Sequence, residues 1–182
     1  MAAISHPAAN IYARGELAAL LRERQAAGAV VVFTNGCFDL LHLGHIRYLQ
    51  AAHALGDLLV VGVNSDASAR ALKGPGRPLT PQQERAEVLA ALACVDYVTI
   101  FEEATAVALV EALRPDVYVK GGDYAASGAA DQGAAINYTK LPEAAPVLAY
   151  GGQVRLLPYL PEHSTTALIE RILQRGQHQA EG

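Results

Sequence analysis

The sequence predicts an α/β fold of the Rossmann-like, doubly wound type: one domain with a parallel five-stranded sheet and helices on both faces. Three observations predict it. Short β-branched apolar runs alternate with helix-length amphipathic segments throughout the chain, which is the signature of a parallel sheet with crossover helices. The most polar, glycine-containing stretches directly follow the apolar runs, where ligands gather in such sheets. The chain has 182 residues, most simply one domain with a proper core.

The elements follow in order. Residues 1–28 form an N-terminal arm and an amphipathic helix over 14–27, with Leu17, Leu20 and Leu21 on one face, Arg22, Glu23 and Arg24 opposite, and Gly28 ending it. Residues 29–175 form the main domain, and 176–182 are a tail. The strands are 29–33, 57–63, 96–101, 117–119 and 154–157, each short and largely apolar. Helices are expected from Ile46 to Ala54, with Ile46, Leu49 and Ala52 near one face; from Thr80, with Thr80 as N-cap, Pro81 at the first position and Gln83 available for a capping box; over 105–113; and over 167–173. The Ala/Gly-rich stretch 125–145 breaks the periodicity and reads as an insertion. It is a candidate lid anchored by Ile136, Tyr138 and Leu141.

Bulk composition excludes several function classes. With 14 basic and 18 acidic residues the net charge is −4, so there is no footprint for general nucleic-acid binding. No apolar run reaches the roughly 18 residues that cross a bilayer, and the N-terminus lacks a signal-peptide pattern, so a cytoplasmic location is expected. Cys37 and Cys94 show no disulfide framework. Neither a GxGxxG nor a GxxxxGK[ST] string is present.

The most informative segment is Thr34-Asn35-Gly36-Cys37-Phe38-Asp39-Leu40-Leu41-His42-Leu43-Gly44-His45, which follows the first apolar run and leads into a helix. Gly36 suits a tight turn and Gly44 a close approach of backbone to ligand. Helix N-terminal amides favour anions, and His42 and His45 add directed donors to such a site. A zinc site built on Cys37, His42 and His45 lacks a fourth ligand nearby. Lys73, flanked by Gly74 in a flexible loop, offers a mobile ammonium to a triphosphate. Asp39, Asn64 and Asp66 supply oxygen groups at the same rim, either to orient an acceptor, to stand in the outer shell of Mg2+, or simply to cap turns. Ser164, Thr165 and Thr166 precede the terminal helix, with more hydroxyls than an N-cap requires.

This string resembles the HxGH nucleotidyltransferase superfamily. Val63-Asn64-Ser65-Asp66, Leu72-Lys73-Gly74, Arg77-Pro78, Gln83-Glu84-Arg85, Val119-Lys120-Gly121-Gly122-Asp123-Tyr124 and Ser164-Thr165-Thr166 follow in the order of one branch. That branch is the adenylyltransferases of ADP-heptose synthesis, either stand-alone or as the second domain of bifunctional heptose kinase/adenylyltransferases. The resemblance implies transfer of AMP from ATP to a sugar 1-phosphate, with Mg2+ entering on the nucleotide phosphates. It implies nucleotide contacts from Thr34, Asn35, Gly36, Phe38, His42, Gly44, His45, Lys120, Gly121, Asp123, Ser164, Thr165 and Thr166. Catalytic roles are implied for His42, His45 and Lys73, and acceptor contacts for Asp39, Asn64, Asp66, Lys73 and Arg85. Arg85 reads equally as an exposed helix arginine. A homodimer, and a separate heptose kinase and phosphatase acting earlier, complete the expected partners. Cytidylyl transfer to glycerol 3-phosphate, adenylyl transfer to FMN, and a regulatory module without catalysis are the competing functions.

Overall fold

A computed structural model of the chain describes residues 10–121, 140–158 and 165–180. Five parallel strands form a single sheet: β1 (Val31–Gly36), β2 (Leu58–Asn64), β3 (Tyr97–Phe101), β4 (Val117–Gly121) and β5 (Gln153–Leu157), in the order β3-β2-β1-β4-β5. Strand order reverses beside β1, so β1 and β4 define the switch point at whose carboxyl end a doubly wound sheet binds ligands. The ladder between these two is short. It registers Val32 with Val117 and Phe33 with Tyr118, whereas β1 pairs β2 from Val31↔Leu58 through Gly36↔Val63.

The side-chain alternation of the strands sorts the core into two layers. Val31 and Phe33 of β1 join Val60 and Tyr118 under Leu17 and Leu21 of α1 (Arg14–Ala26). The same layer takes Leu109 and Leu113, and Ala144 and Val147 from a short helix near the end of the described chain. Val32, Leu59, Val61, Val63 and Val119 point the other way, against Leu49 and Ala52 of α2 (Leu43–His53) and Leu89 of the helix Gln82–Ala90. Buried leucine and valine side chains of this kind contribute about 1.5–3 kcal/mol each. Helices thus cover both faces, as the alternating pattern predicts. The remaining helices, in chain order, are α3 (Asp66–Lys73), α4 (Gln82–Ala90), α5 (Val107–Leu113), α6 (Ala144–Ala149) and α7 (Thr165–Ala180).

Several local expectations are corrected. β1 extends through the polar Thr34-Asn35-Gly36, because their backbone groups continue the ladder to Val61–Val63. Gly36 therefore makes no turn. A Cβ there would stand 3.1 Å from the Phe38 ring, and the sharp bend falls instead at Phe38, with φ 47°. Lys73 is the last residue of α3 rather than part of a loop; Gly74, with φ 91°, ends that helix. Thr80 is not an N-cap. Helix α4 starts at Gln82 after Pro81 with no side-chain cap, since the Thr80 carbonyl accepts from Arg85 and its amide donates to Asp39. Ile11 bridges to Val98 and the Tyr12 amide donates to the Val98 carbonyl, so residues just before α1 lie along the sheet edge.

Of the predicted insertion, residues 125–139 lie outside the described residues, Ile136 and Tyr138 with them. Leu141 is buried in the α1/α5 layer, and residues 144–145 begin α6. No described helix is long and apolar enough to cross a membrane.

Candidate active site at the carboxyl end of the sheet

Helix α2 begins directly beyond the carboxyl end of β1 and presents both histidines there. His42 is its N-cap in extended conformation, and its Nδ1 accepts from the His45 amide at 3.4 Å. The two imidazoles stack with centroids 3.8 Å apart, and His45 also leans on the Phe38 ring at 5.4 Å. His45 Nδ1 is buried without a hydrogen-bond partner. Burial, with the neighbouring His42, pushes the His45 pKa down to about 4, so the ligand-free ring is neutral at pH 7. A buried ring nitrogen left unpaired is costly unless something arrives to use it.

Tyr48 fixes the frame behind this pair. Its hydroxyl donates to the Val119 carbonyl at 3.0 Å and lies 2.8 Å from Thr34 Oγ1, joining α2 to β1 and β4 at the switch point. Thr34 is fully buried, so its side chain serves this clamp. Asn35 is shared: its Oδ1 accepts from Tyr118 Oη at 2.8 Å and its carbonyl from Lys120 Nζ at 3.0 Å. Gly44 is buried in the first turn of α2. Gly121 closes β4 opposite Leu157. Thr165 Oγ1 reaches the Leu40 carbonyl at 3.5 Å, bringing the start of α7 to the histidine loop, while Thr166 is exposed. Asp123 and Ser164 lie outside the described residues.

Beside this frame opens a cleft of about 360 Å3, lined among others by Asn35, Cys37, Asn64, Lys73, Lys120 and Glu143. Asn64 Nδ2 donates to Ser68 Oγ at 2.9 Å, and burial raises the Cys37 thiol pKa, keeping it protonated. Burial also pushes Lys120 down to about 8, against the opposing charge of Glu143. Lys120 is cationic below that pH and neutral above it. The specificity constant for the nucleotide, which reports ionisations of the free enzyme, is therefore expected to decline through about pH 8. A Lys120→Gln variant, weaker throughout, should lack that alkaline limb in a pH–rate profile.

Three residues expected to contact the acceptor make bonds within the protein. Asp39 is buried; it takes Arg77 Nε at 2.6 Å and the amides of Leu79 and Thr80 at 2.7 and 3.0 Å, pinning the segment before α4 to the histidine loop. Arg85 is 2% exposed and donates to the carbonyls of Thr80 and Asn64, each at 2.9 Å, to that of Cys37, and to Asp66 Oδ1 at 2.7 Å. Asp66 is its ion-pair partner. These residues hold the rim in shape by binding it from within. Tyr48, Tyr118 and Glu143 escaped the sequence reading; only Tyr48 left a signal, standing one position before Leu49 on the inward side of α2.

Comparison with known proteins decides the family. A family model described as cytidylyltransferase-like matches residues 33–171. The chain belongs to the cytidylyltransferase-like family. It is a nucleotidyltransferase, and the histidine loop, the cleft and the switch point all fall within the matched span. Among curated relatives, "Bifunctional protein HldE" of Syntrophotalea carbinolica is 51% identical over 166 residues, covering 91% of this chain and 31% of that protein. The protein of the same name from Pelobacter propionicus is 52% identical over 162 residues, covering 89% of this chain and again 31% of the relative. The chain thus spans about a third of the length of the curated relatives it matches. Among solved structures, a lipopolysaccharide core biosynthesis protein from Thermoplasma volcanium GSS1 aligns with TM-score 0.55 and 27% identity, covering 73% of this chain and 98% of that one. Pantoate-beta-alanine ligase from Francisella tularensis, at 13% identity, TM-score 0.54 and coverage of 81% and 66%, shares the fold.

Proposed function

We propose that this nucleotidyltransferase moves AMP from ATP to a sugar 1-phosphate, D-glycero-β-D-manno-heptose 1-phosphate, giving ADP-heptose and pyrophosphate. The observation that carries the reading is the placement, at one rim of the sheet, of a stacked histidine pair at a helix N-terminus beside a cleft containing Lys73 and Lys120. Such a rim meets two phosphate-bearing substrates at once.

The reaction needs no protein nucleophile. A phosphate oxygen of the acceptor attacks the α-phosphorus of ATP, the new P–O bond forms as the bond to the β-phosphate bridge breaks, and pyrophosphate leaves with the electron pair. Charge gathers on the non-bridging and leaving oxygens, and preorganised donors there are worth roughly 2–4 kcal/mol each. His42 and His45 supply those donors, Lys73 balances the departing pyrophosphate, and Thr165 holds a phosphate at the start of α7. Mg2+ would enter on the triphosphate, its usual ligand, and would neutralise phosphate charge there. A cytoplasmic site of action suits an ATP-dependent step of this kind, and an upstream kinase and phosphatase would supply the sugar 1-phosphate.

The relatives named HldE and the lipopolysaccharide core biosynthesis protein support the sugar acceptor. The family description favours a second reading, cytidylyl transfer to glycerol 3-phosphate. Against it, the cytidylyltransferase branch carries an arginine shortly before Ser-Thr-Thr, where this chain has Tyr159-Leu160-Pro161-Glu162-His163. A matrix of ATP and CTP against heptose 1-phosphate, glycerol 3-phosphate and FMN, followed by pyrophosphate release, separates the readings. ATP with heptose 1-phosphate is expected to give the highest specificity constant; CTP with glycerol 3-phosphate outperforming it would establish the alternative.

A further inference from the structure

The cleft has one wall that the phosphate chemistry leaves unexplained. Lys140, Pro142 and Glu143, leading into α6, line it together with Asn64, Lys73 and Thr105. Glu143 is only 4% exposed, and its Oε1 accepts the Ala106 amide at 2.9 Å. A carboxylate has acceptor capacity on both oxygens, so beyond this one bond and the opposing charge of Lys120 its Oε2 can take further donors. Phosphate recognition alone does not account for it: a buried anion repels a phosphate ester and is expensive to keep unless hydrogen-bond donors meet it. Hydroxyl groups on the same ligand are such donors, and bonds from them to an ionised acceptor are among the stronger neutral-donor contacts. Lys140 is exposed and long enough to turn its ammonium into the cleft.

We propose that Glu143 is a specificity-determining residue, whose carboxylate accepts hydroxyl groups of a polyhydroxylated phosphate ester while Lys140 meets that ester's phosphate. The proposal rests on the sugar-phosphate reading given above and adds the residues that choose the acceptor. It assigns the 140–143 wall to the acceptor and leaves the nucleotide to the β1–β4 crevice and α2. Substitutions on this wall then act on one substrate and spare the other.

The test compares wild type, Glu143→Gln and Lys140→Gln in steady-state assays, with heptose 1-phosphate and glycerol 3-phosphate as acceptors. Glutamine keeps the volume of Glu143 and a carbonyl oxygen for the Ala106 amide, so the melting temperature is expected to stay within about 3 °C of wild type. Measured at about pH 6.5, where Lys120 stays charged even without the Glu143 carboxylate, Glu143→Gln should raise the KM for heptose 1-phosphate about tenfold or more, with the KM for ATP changed less than about twofold. Preference for heptose 1-phosphate over glycerol 3-phosphate should fall by a similar factor. Lys140→Gln, on an exposed residue that does not endanger folding, should raise the KM for both acceptors severalfold and again spare ATP.

An unchanged acceptor KM in folded Glu143→Gln, or equal effects on both substrates, overturns the proposal while leaving the sugar-phosphate reading intact. If Glu143→Gln fails to fold, the carboxylate is a structural cap, and Lys140→Gln decides whether the wall binds acceptor at all. Wild type inactive on every sugar phosphate refutes the reading itself, and the proposal with it.

Discussion

His42→Ala and His45→Ala are each expected to lower kcat by at least roughly a hundredfold while leaving the melting temperature nearly unchanged. The expectation follows from where the rings stand. Both lie in the first turn of α2 or at its cap, stacked on each other at 3.8 Å. His45 retains a buried ring nitrogen with no partner, a donor or acceptor that the fold itself does not use. Losing such a group costs the folded state little, since alanine removes an unsatisfied nitrogen along with some packing against Phe38. The reaction loses far more, because a preorganised donor to developing phosphate charge is worth roughly 2–4 kcal/mol. His42 carries a small additional structural cost, as its Nδ1 caps the His45 amide, and caps contribute about 0.5–2 kcal/mol. Single-turnover rates measured beside thermal melts separate the two effects. A rate loss explained wholly by unfolding would remove both residues from the chemistry.

Arg85→Met is expected to produce the opposite pattern: a large fall in stability, on the order of 3–5 kcal/mol. Its guanidinium is buried between the ends of β1 and β2, and the substitution strands the carbonyls of Cys37, Asn64 and Thr80 and leaves Asp66 without its ion-pair partner. The Asp66 side chain is 35% exposed, so water compensates it; the carbonyls carry most of the penalty. For a domain of this size the melting temperature should fall by roughly 10 °C or more. Arg85→Lys should recover little, because one ammonium cannot span the four acceptors that a planar guanidinium reaches. Thermal denaturation of both variants checks this. If Arg85→Met instead melts like wild type and loses only acceptor affinity, Arg85 contacts substrate as its sequence position first suggested.

The contrast between these residues shows what was legible in the chain. The β-branched runs announced the strands, because strands buried on both faces have little choice of composition. The histidine loop was legible because glycine, aromatic and imidazole groups at that spacing have no cheaper explanation. Arg85 and Asp39 were not, since nothing local distinguishes a guanidinium that folds inward from one that points to solvent. Thr80 apart, which is five residues away, the partners of Arg85 lie 19 to 48 residues distant, and those of Asp39 38 to 41. Helix α3 was missed because its eight residues, Asp66–Lys73, are too few for a periodic signal; Ser65, whose side chain accepts from Ser68, is a cap visible only in retrospect. Glu143 lay in a stretch whose composition suggested a loop, although burial of Leu141 and Ala144 draws its last residues into the core.

The shortness of the β1–β4 ladder bears on how the site admits a ligand. Past Phe33 and Tyr118 the two central strands part company, yet each keeps its outer neighbour, β2 as far as Gly36↔Val63 and β5 as far as Gly121↔Leu157. In the gap, backbone carbonyls that a ladder would have used are served by side chains, Lys120 on Asn35 and Tyr48 on Val119. Main-chain ladders come apart cooperatively, whereas side-chain bonds can be exchanged singly. The seam between the two central strands is thus tied by side chains, single connections at the rim where the outer ladders stay continuous.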